Sequence, residues 1–186
     1  MNLRPFQERR LRHVLEAGGL IAYPTEAVFG LGCDPYNETA VEQVLAVKQR
    51  PWNKGLILIA AAFDQLVPFV NPLSDPQRAQ VESTWPGPVT WLLPVRPEVP
   101  FWLCGEHDTL AVRVTAHPLA AALCRAWGGA LVSTSANFSG RSPARTALAV
   151  RKQLGRQVDY IIPGATGGAR KPTEIRSLDG RIVRST

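Results

Sequence analysis

Apolar and polar residues along the chain follow two alternating periods. Phe6, Leu11, Val14 and Leu15 fall on one face at helical spacing, and Gly18-Gly19 ends a helix predicted over Phe6–Ala17. Leu20–Tyr23 is a short apolar run closed by Pro24, as expected of a buried strand. Asn37 is placed to cap a helix carrying Ala40, Val41, Val44 and Leu45, which must stop before Pro51 because the residue before proline avoids helical geometry. Leu56–Ala60 is apolar throughout, the pattern of a central strand covered on both faces. A helix is expected from Ser74-Asp75-Pro76 towards Trp85, then strands over Val89–Leu93 and Leu110–Val114. Pro118–Trp127 reads as a helix stopped by Gly128-Gly129, and Ala130–Ser133 as a strand. Thr146–Leu154 is helical, Val158–Ile162 a strand, and Glu174–Leu178 with Arg181–Arg184 a closing pair of strands. Helices and strands interleave from end to end, so the predicted class is α/β, one domain over residues 1–186 around a largely buried sheet.

Composition narrows this picture. A chain of 186 residues with 45% hydrophobic side chains is long enough to bury a core without disulfides or metal. Cys33, Cys104 and Cys124 are odd in number and contain no CxxC pair, which argues against a disulfide framework and fits a reducing compartment. The longest apolar run, Leu56–Phe63, is far short of the roughly 20 residues that span a bilayer. Arg4, Arg9, Arg10 and Arg12 are interrupted by Glu8 with no apolar run behind them, unlike a signal peptide. A soluble, cytoplasmic protein without membrane contact is expected.

The net charge of +6 is unevenly spread: residues 1–140 carry a net −1 and residues 141–186 a net +7. The basic quarter holds Arg141, Arg145, Arg151, Lys152, Arg156, Arg170, Lys171, Arg176, Arg181 and Arg184. A polyanionic partner, nucleotide phosphate or RNA, and a merely solvated basic face explain this equally well.

The common phosphate and metal motifs are missing: there is no GxxxxGK[ST], no GxGxxG, no HExxH and no GxSxG. Four short stretches concentrate polar groups at predicted element ends instead. Thr25 in Pro24-Thr25-Glu26 follows a strand, where α/β sheets gather ligands, although a plain turn accounts for it as well. Lys48 and Arg50 sit two apart before Pro51; in an extended segment they converge on one anion, otherwise they complement a helix dipole. Ser135 and Asn137 offer a hydroxyl and an amide on one side of Ser133-Thr134-Ser135-Ala136-Asn137, or form a turn. Arg113, behind Thr109 in an apolar strand, wants a bidentate carboxylate or phosphate, or else an internal salt bridge to Glu26 or Asp108.

These stretches together are more specific than any one of them. Pro24-Thr25-Glu26, Lys48-x-Arg50-Pro51, Trp85-Pro86-Gly87-Pro88-x-Thr90, Ala111-Val112-Arg113, Ser133-Thr134-Ser135-Ala136-Asn137-x-Ser139-Gly140 and the closing Gly180-Arg181-Ile182-Val183-Arg184 resemble, in order, the YrdC-like family in its short bacterial form. The resemblance implies a twisted mixed parallel and antiparallel sheet flanked by helices around a concave basic cavity. It implies L-threonylcarbamoyladenylate synthesis from L-threonine, bicarbonate and ATP, with pyrophosphate released. Magnesium is expected with the ATP, and other proteins then transfer the threonylcarbamoyl group to tRNA beside the anticodon. The family's K-x-R and S-x-N tetrad falls on Lys48, Arg50, Ser135 and Asn137 as catalytic residues. Thr25 and Arg113 are implied as threonine contacts, with Thr109 and Ser133 as further substrate contacts. The chain departs from the family at Ala27 in P-T-E-T, at Gly55 and Ile59 where K-P-L-x-x-H has Pro and His, and at Thr173 where relatives often carry serine. Two alternatives stay open: a non-catalytic RNA-binding or ribosomal-RNA maturation factor, and a carbamoyl-adenylate enzyme with another acceptor.

Overall fold

The computed structural model describes residues 3–169 and 173–184, so Arg170 and Lys171 of the basic quarter lie outside the described residues. In chain order the elements are α1 (Pro5–Glu16), β1 (Ile21–Pro24), β2 (Phe29–Gly32), α2 (Glu38–Lys48), β3 (Ile57–Ala60), α3 (Asp75–Glu82) and β4 (Val89–Pro94). They continue with α4 (Phe101–Cys104), β5 (Thr109–Val114), α5 (Pro118–Trp127), β6 (Leu131–Val132), β7 (Thr134–Ser135), α6 (Ala147–Leu154), β8 (Tyr160–Ile161), β9 (Glu174–Ser177) and β10 (Ile182–Arg184). The fold is α/β with mixed strand pairing and flanking helices.

The strands divide between two sheets where the apolar pattern suggests one. Four strands run in the order β7-β2-β1-β8 and six in the order β10-β9-β4-β5-β3-β6. The β1/β8, β3/β5 and β4/β9 pairs are parallel and the others antiparallel. The run expected as one strand over Ala130–Ser133 is the reason for the division. Leu131–Val132 pairs with β3, Thr134–Ser135 pairs with β2, and Ser133 is the corner where the chain changes sheets.

Side chains of β3 show why its sequence is apolar throughout. Leu58 and Ala60 enter the main core with Phe29, Leu31, Val41, Val44, Trp91 and Val112. Ile59, on the opposite face, enters a second core with Leu11, Leu15, Tyr23, Leu123 and Leu131. A strand with period two must be apolar on both faces to be buried by both clusters. Ile59, at the family's histidine position, is thus a fully buried core residue in register with Arg113. Phe6, expected on the inner face of α1, is exposed; Leu11 and Leu15 alone are buried there. β2, β7 and α4 were not legible: β2 carries two glycines in four residues, and β7 and α4 are too short to show a period.

Two glycines permit the close approach of β2 to the chain crossing. A Cβ on Gly32 would stand 2.1 Å from the Val132 carbonyl oxygen, and one on Gly30 would press on Thr25, Tyr23 and Ser133 at 3.2–3.3 Å. Glycine is the residue for such approaches.

Candidate functional site

The predicted site residues gather where the two sheets meet. Two depressions of about 280 and 190 Å³ share Ile57, Ser133, Thr134 and Arg184 as lining. Arg50, Lys54, Cys104, His107 and Thr109 add to the larger, and Thr25, Arg113, Ser135 and Thr173 to the smaller. Six of the eight residues singled out in the sequence therefore line one composite cavity. Lys48 and Asn137 do not line it; they hold its wall.

Lys48 is the last residue of α2, and its environment is set by how that helix ends. Gln49 adopts φ 45°, the left-handed region, while its N–H bonds the Ala46 carbonyl and the Arg50 N–H bonds that of Leu45. This is the pairing of a Schellman stop. The left-handed residue interrupts the extended path that would set Lys48 and Arg50 side by side, and the two side chains bond different partners. The Lys48 ammonium donates to the Ser135 carbonyl (2.8 Å) and hydroxyl (3.2 Å), and to the Asn137 carbonyl (2.8 Å) and Oδ1 (2.6 Å). The Asn137 Nδ2 in turn donates to the Phe138 and Arg141 carbonyls. Three N–H donors thus serve four oxygens, and the hydroxyl and amide of the S-x-N motif meet at one ammonium. Burial, and secondarily the nearby Arg50 charge, push the Lys48 amine down to about 8.

Arg50 is turned towards the larger depression by two carbonyls: Nε donates to Gly55 and Nη2 to Lys54, each at 3.0 Å. Gly55 has φ 58°, which proline cannot adopt. The departure from the family at this position thus belongs to a backbone turn that carries an acceptor for Arg50. Arg50 and Arg184 are exposed as whole residues, yet both guanidinium groups have their pKa held below the ordinary arginine value. Burial is the cause for Arg50; for Arg184 it is burial first, then the charges of Arg113 and Arg50.

Arg113, only 5% exposed, lies on the floor in β5. Its Nη1 donates to Thr90 Oγ1 (3.2 Å) and Thr173 Oγ1 (2.9 Å), and its Nη2 is 3.7 Å from Glu26 Oε2. The salt bridge to Glu26 weighed from sequence is therefore present, and the guanidinium also lines the cavity. Asp108, the other acid considered there, is exposed. Thr90 of the Trp-Pro-Gly-Pro motif is thereby accounted for as an acceptor for this buried charge.

The remaining residues divide between lining and turn-making. Thr25 lines the smaller depression, and its hydroxyl donates to the Val28 carbonyl at 2.7 Å, so the turn weighed for it is also present. Ser133 is buried at the corner, with its N–H on the Ile57 carbonyl at 2.8 Å. Thr109 opens β5 on the wall of the larger depression.

Sequence reasoning left Arg184 without a role, merged into the basic quarter. Its Nε and Nη2 donate to the Thr173 carbonyl at 3.2 and 2.8 Å, so Thr173 receives both Arg113 and Arg184. The closing Gly-Arg-Ile-Val-Arg segment carried a signal for it, but only the pairing of β9 with β4 brings that end to the cavity. Cys104 and His107 were also missed, because α4 was, whereas Lys54 follows closely behind the Lys48-Gln49-Arg50-Pro51 stretch. Among the described residues, no group of three or more His, Cys, Asp or Glu side chains could hold a metal ion.

Known proteins share this architecture. Threonylcarbamoyl-AMP synthase of Nitrosococcus oceani is 59% identical over 173 residues, covering 93% of this chain and 92% of that protein. Sua5 of P. abyssi, solved in complex with L-threonine, superposes with a TM-score of 0.90 at 29% identity over 99% of this chain. This chain spans 55% of the Sua5 chain. E. coli YciO superposes with a TM-score of 0.85 at 28% identity, covering 98% of this chain and 90% of YciO. The profile of the Sua5/YciO/YrdC family, described as telomere recombination, matches residues 13–186. Fold, motif order and sequence agree on one assignment: this chain belongs to the Sua5/YciO/YrdC family.

Proposed function

We propose that this protein is an L-threonylcarbamoyladenylate (threonylcarbamoyl-AMP) synthase, acting as one YrdC-like domain over residues 1–186. One observation carries the reading beyond family membership. A cavity at a sheet junction is lined by Arg50, Arg113 and Arg184, and among the described residues Glu26, beneath Arg113, is the one carboxylate paired to them. Such an excess of guanidinium suits a substrate set with a triphosphate and a carboxylate.

The amine nitrogen of threonine bonds to the carbon of bicarbonate or CO₂, giving a carbamate with loss of water or a proton respectively. A carbamate oxygen then attacks the α-phosphorus of ATP, and the bond to the bridging oxygen of pyrophosphate breaks in line. Displacement at phosphorus needs positioning and charge stabilisation above all. Arg50 and Arg184 are assigned to the phosphates and the charge developing on pyrophosphate. Arg113 is assigned to the threonine carboxylate, with Thr25 beside it. Ser135, Ser133 and Thr109 are assigned to the nucleotide or the carbamoyl group. Lys48 and Asn137 hold the Ser135–Asn137 wall and present its hydroxyl.

Magnesium is expected to arrive with the triphosphate, held by phosphate oxygens and water. Glu26, the carboxylate paired with Arg113, is already engaged by Thr115, Ala116 and Arg113 and is a poor candidate ligand. The product is a mixed anhydride, so a downstream acyl transferase acting on tRNA is the expected consumer. Among the described residues no helix is long and apolar enough to cross a membrane, and a cytoplasmic location suits these substrates.

The test is pyrophosphate release from ATP by the purified protein. Release that requires both threonine and bicarbonate supports the proposal. Release independent of either overturns it, and salt-dependent RNA binding with no turnover would favour the RNA-binding alternative.

A further inference from the structure

Arg113 and Glu26 form an ion pair with an unusual division of hydrogen bonds. Nη1 of Arg113 is engaged by Thr90 and Thr173. Its Nε is buried and has no hydrogen-bond partner, and Nη2 reaches Glu26 only at 3.7 Å. Nε and Nη2 together are the edge of a guanidinium that grips a carboxylate with two parallel hydrogen bonds. On Glu26 the division is complementary. Oε1 accepts from the Thr115 hydroxyl at 2.6 Å and from the Ala116 N–H at 3.1 Å, whereas Oε2 is buried with no hydrogen bond.

A carboxylate placed only to neutralise a buried arginine gains most by closing that fork. Here Thr115 and Ala116 hold Glu26 back from it. The arginine keeps a counter-charge, without which its burial would be costly, and that counter-charge is itself fixed in place by Thr115 and Ala116. Arg113 lines the cavity and Glu26 does not.

We infer that Glu26, anchored by Thr115, is a positioning residue that holds the Arg113 guanidinium charged and oriented on the cavity floor for the carboxylate of the amino-acid substrate. This rests on the assignment of Arg113 to the threonine carboxylate. Burial alone would raise the Glu26 carboxyl, but the Arg113 charge and the Thr115 hydrogen bond outweigh it and hold its pKa below the usual value. The group is therefore ionised at neutral pH.

The experiment compares wild type, Glu26→Gln and Thr115→Val by calorimetric titration with L-threonine and by separate KM values for threonine and ATP. Glu26→Gln keeps the shape and removes the charge; Thr115→Val keeps the charge and removes its anchor. The expected result is a threonine KM and Kd raised about tenfold in the first and at least threefold in the second, with the ATP KM changed less than twofold. The double variant should not exceed Glu26→Gln, because both act through one group. Unchanged threonine affinity in either folded variant overturns the inference, as does an equal rise in both KM values. Should Glu26→Gln not fold, Thr115→Val decides alone on the same criteria. A wild type that neither binds nor requires threonine defeats the parent reading instead, a distinct outcome.

Discussion

The ammonium of Lys48 stands 2.6 Å from Oδ1 of Asn137, 89 residues away in the chain, and the same nitrogen holds both carbonyls that flank the intervening turn. The K-x-R and S-x-N motifs are thus joined through a wall of the cavity, and only Arg50 and Ser135 of the four face the space inside. Replacing Lys48 by Met should leave these oxygens short of donors, costing about 1–3 kcal/mol of stability. Because the wall carries Ser135, synthase activity should fall at least 100-fold. Denaturant unfolding and pyrophosphate release measure the two effects.

The pH dependence of Lys48 separates activity from stability. Its folded pKa of about 8 lies below the ordinary 10.5, so between those values the unfolded chain binds more protons than the folded one. This group's contribution to stability therefore rises with pH across that window. Activity should do the opposite, falling as the ammonium that holds the wall is lost above pH 8. Melting temperature and kcat/KM measured on the same samples from pH 7 to 10 should diverge; a parallel decline would exclude this role.

Arg184 is exposed and bonded only to Thr173 among the described contacts, so its removal should leave stability almost intact. Arg184→Ala should raise the KM for ATP by roughly tenfold, about 1.4 kcal/mol, with the threonine KM little changed. Higher salt should weaken ATP binding to wild type more than to this variant.

Gln49 occupies a conformation that costs a side-chain-bearing residue roughly 1–2 kcal/mol. Gln49→Gly should recover about 0.5–1 kcal/mol, read as a higher denaturation midpoint. Gly32→Ala should act in the other direction. Its Cβ meets a carbonyl oxygen that only a backbone shift could move, so a loss of about 2–3 kcal/mol is expected from the same titration.

Local regularity was legible where a period could repeat. The buried faces of α2, α5, β3 and β5 follow from apolar spacing, and Pro51 with Asn37 bounds α2. Short elements without a period, such as α4 and β7, left no such trace, and the cavity wall they build was hidden with them. Motif order identified the family, and with it six of the polar residues that line the cavity.

The sequence by itself determined the α/β class, the ends of α2 and α5 and the set of polar residues that cannot be explained by a core. Only the tertiary structure decided how these residues are used. A left-handed turn at Gln49 parts Lys48 from Arg50, the crossing at Ser133 joins two sheets, and β9 carries Thr173 and Arg184 to Arg113. The physical reason is that apolar periodicity records which side of an element is buried. Hydrogen-bond pairing and charge balance, by contrast, depend on partners 60–90 residues away.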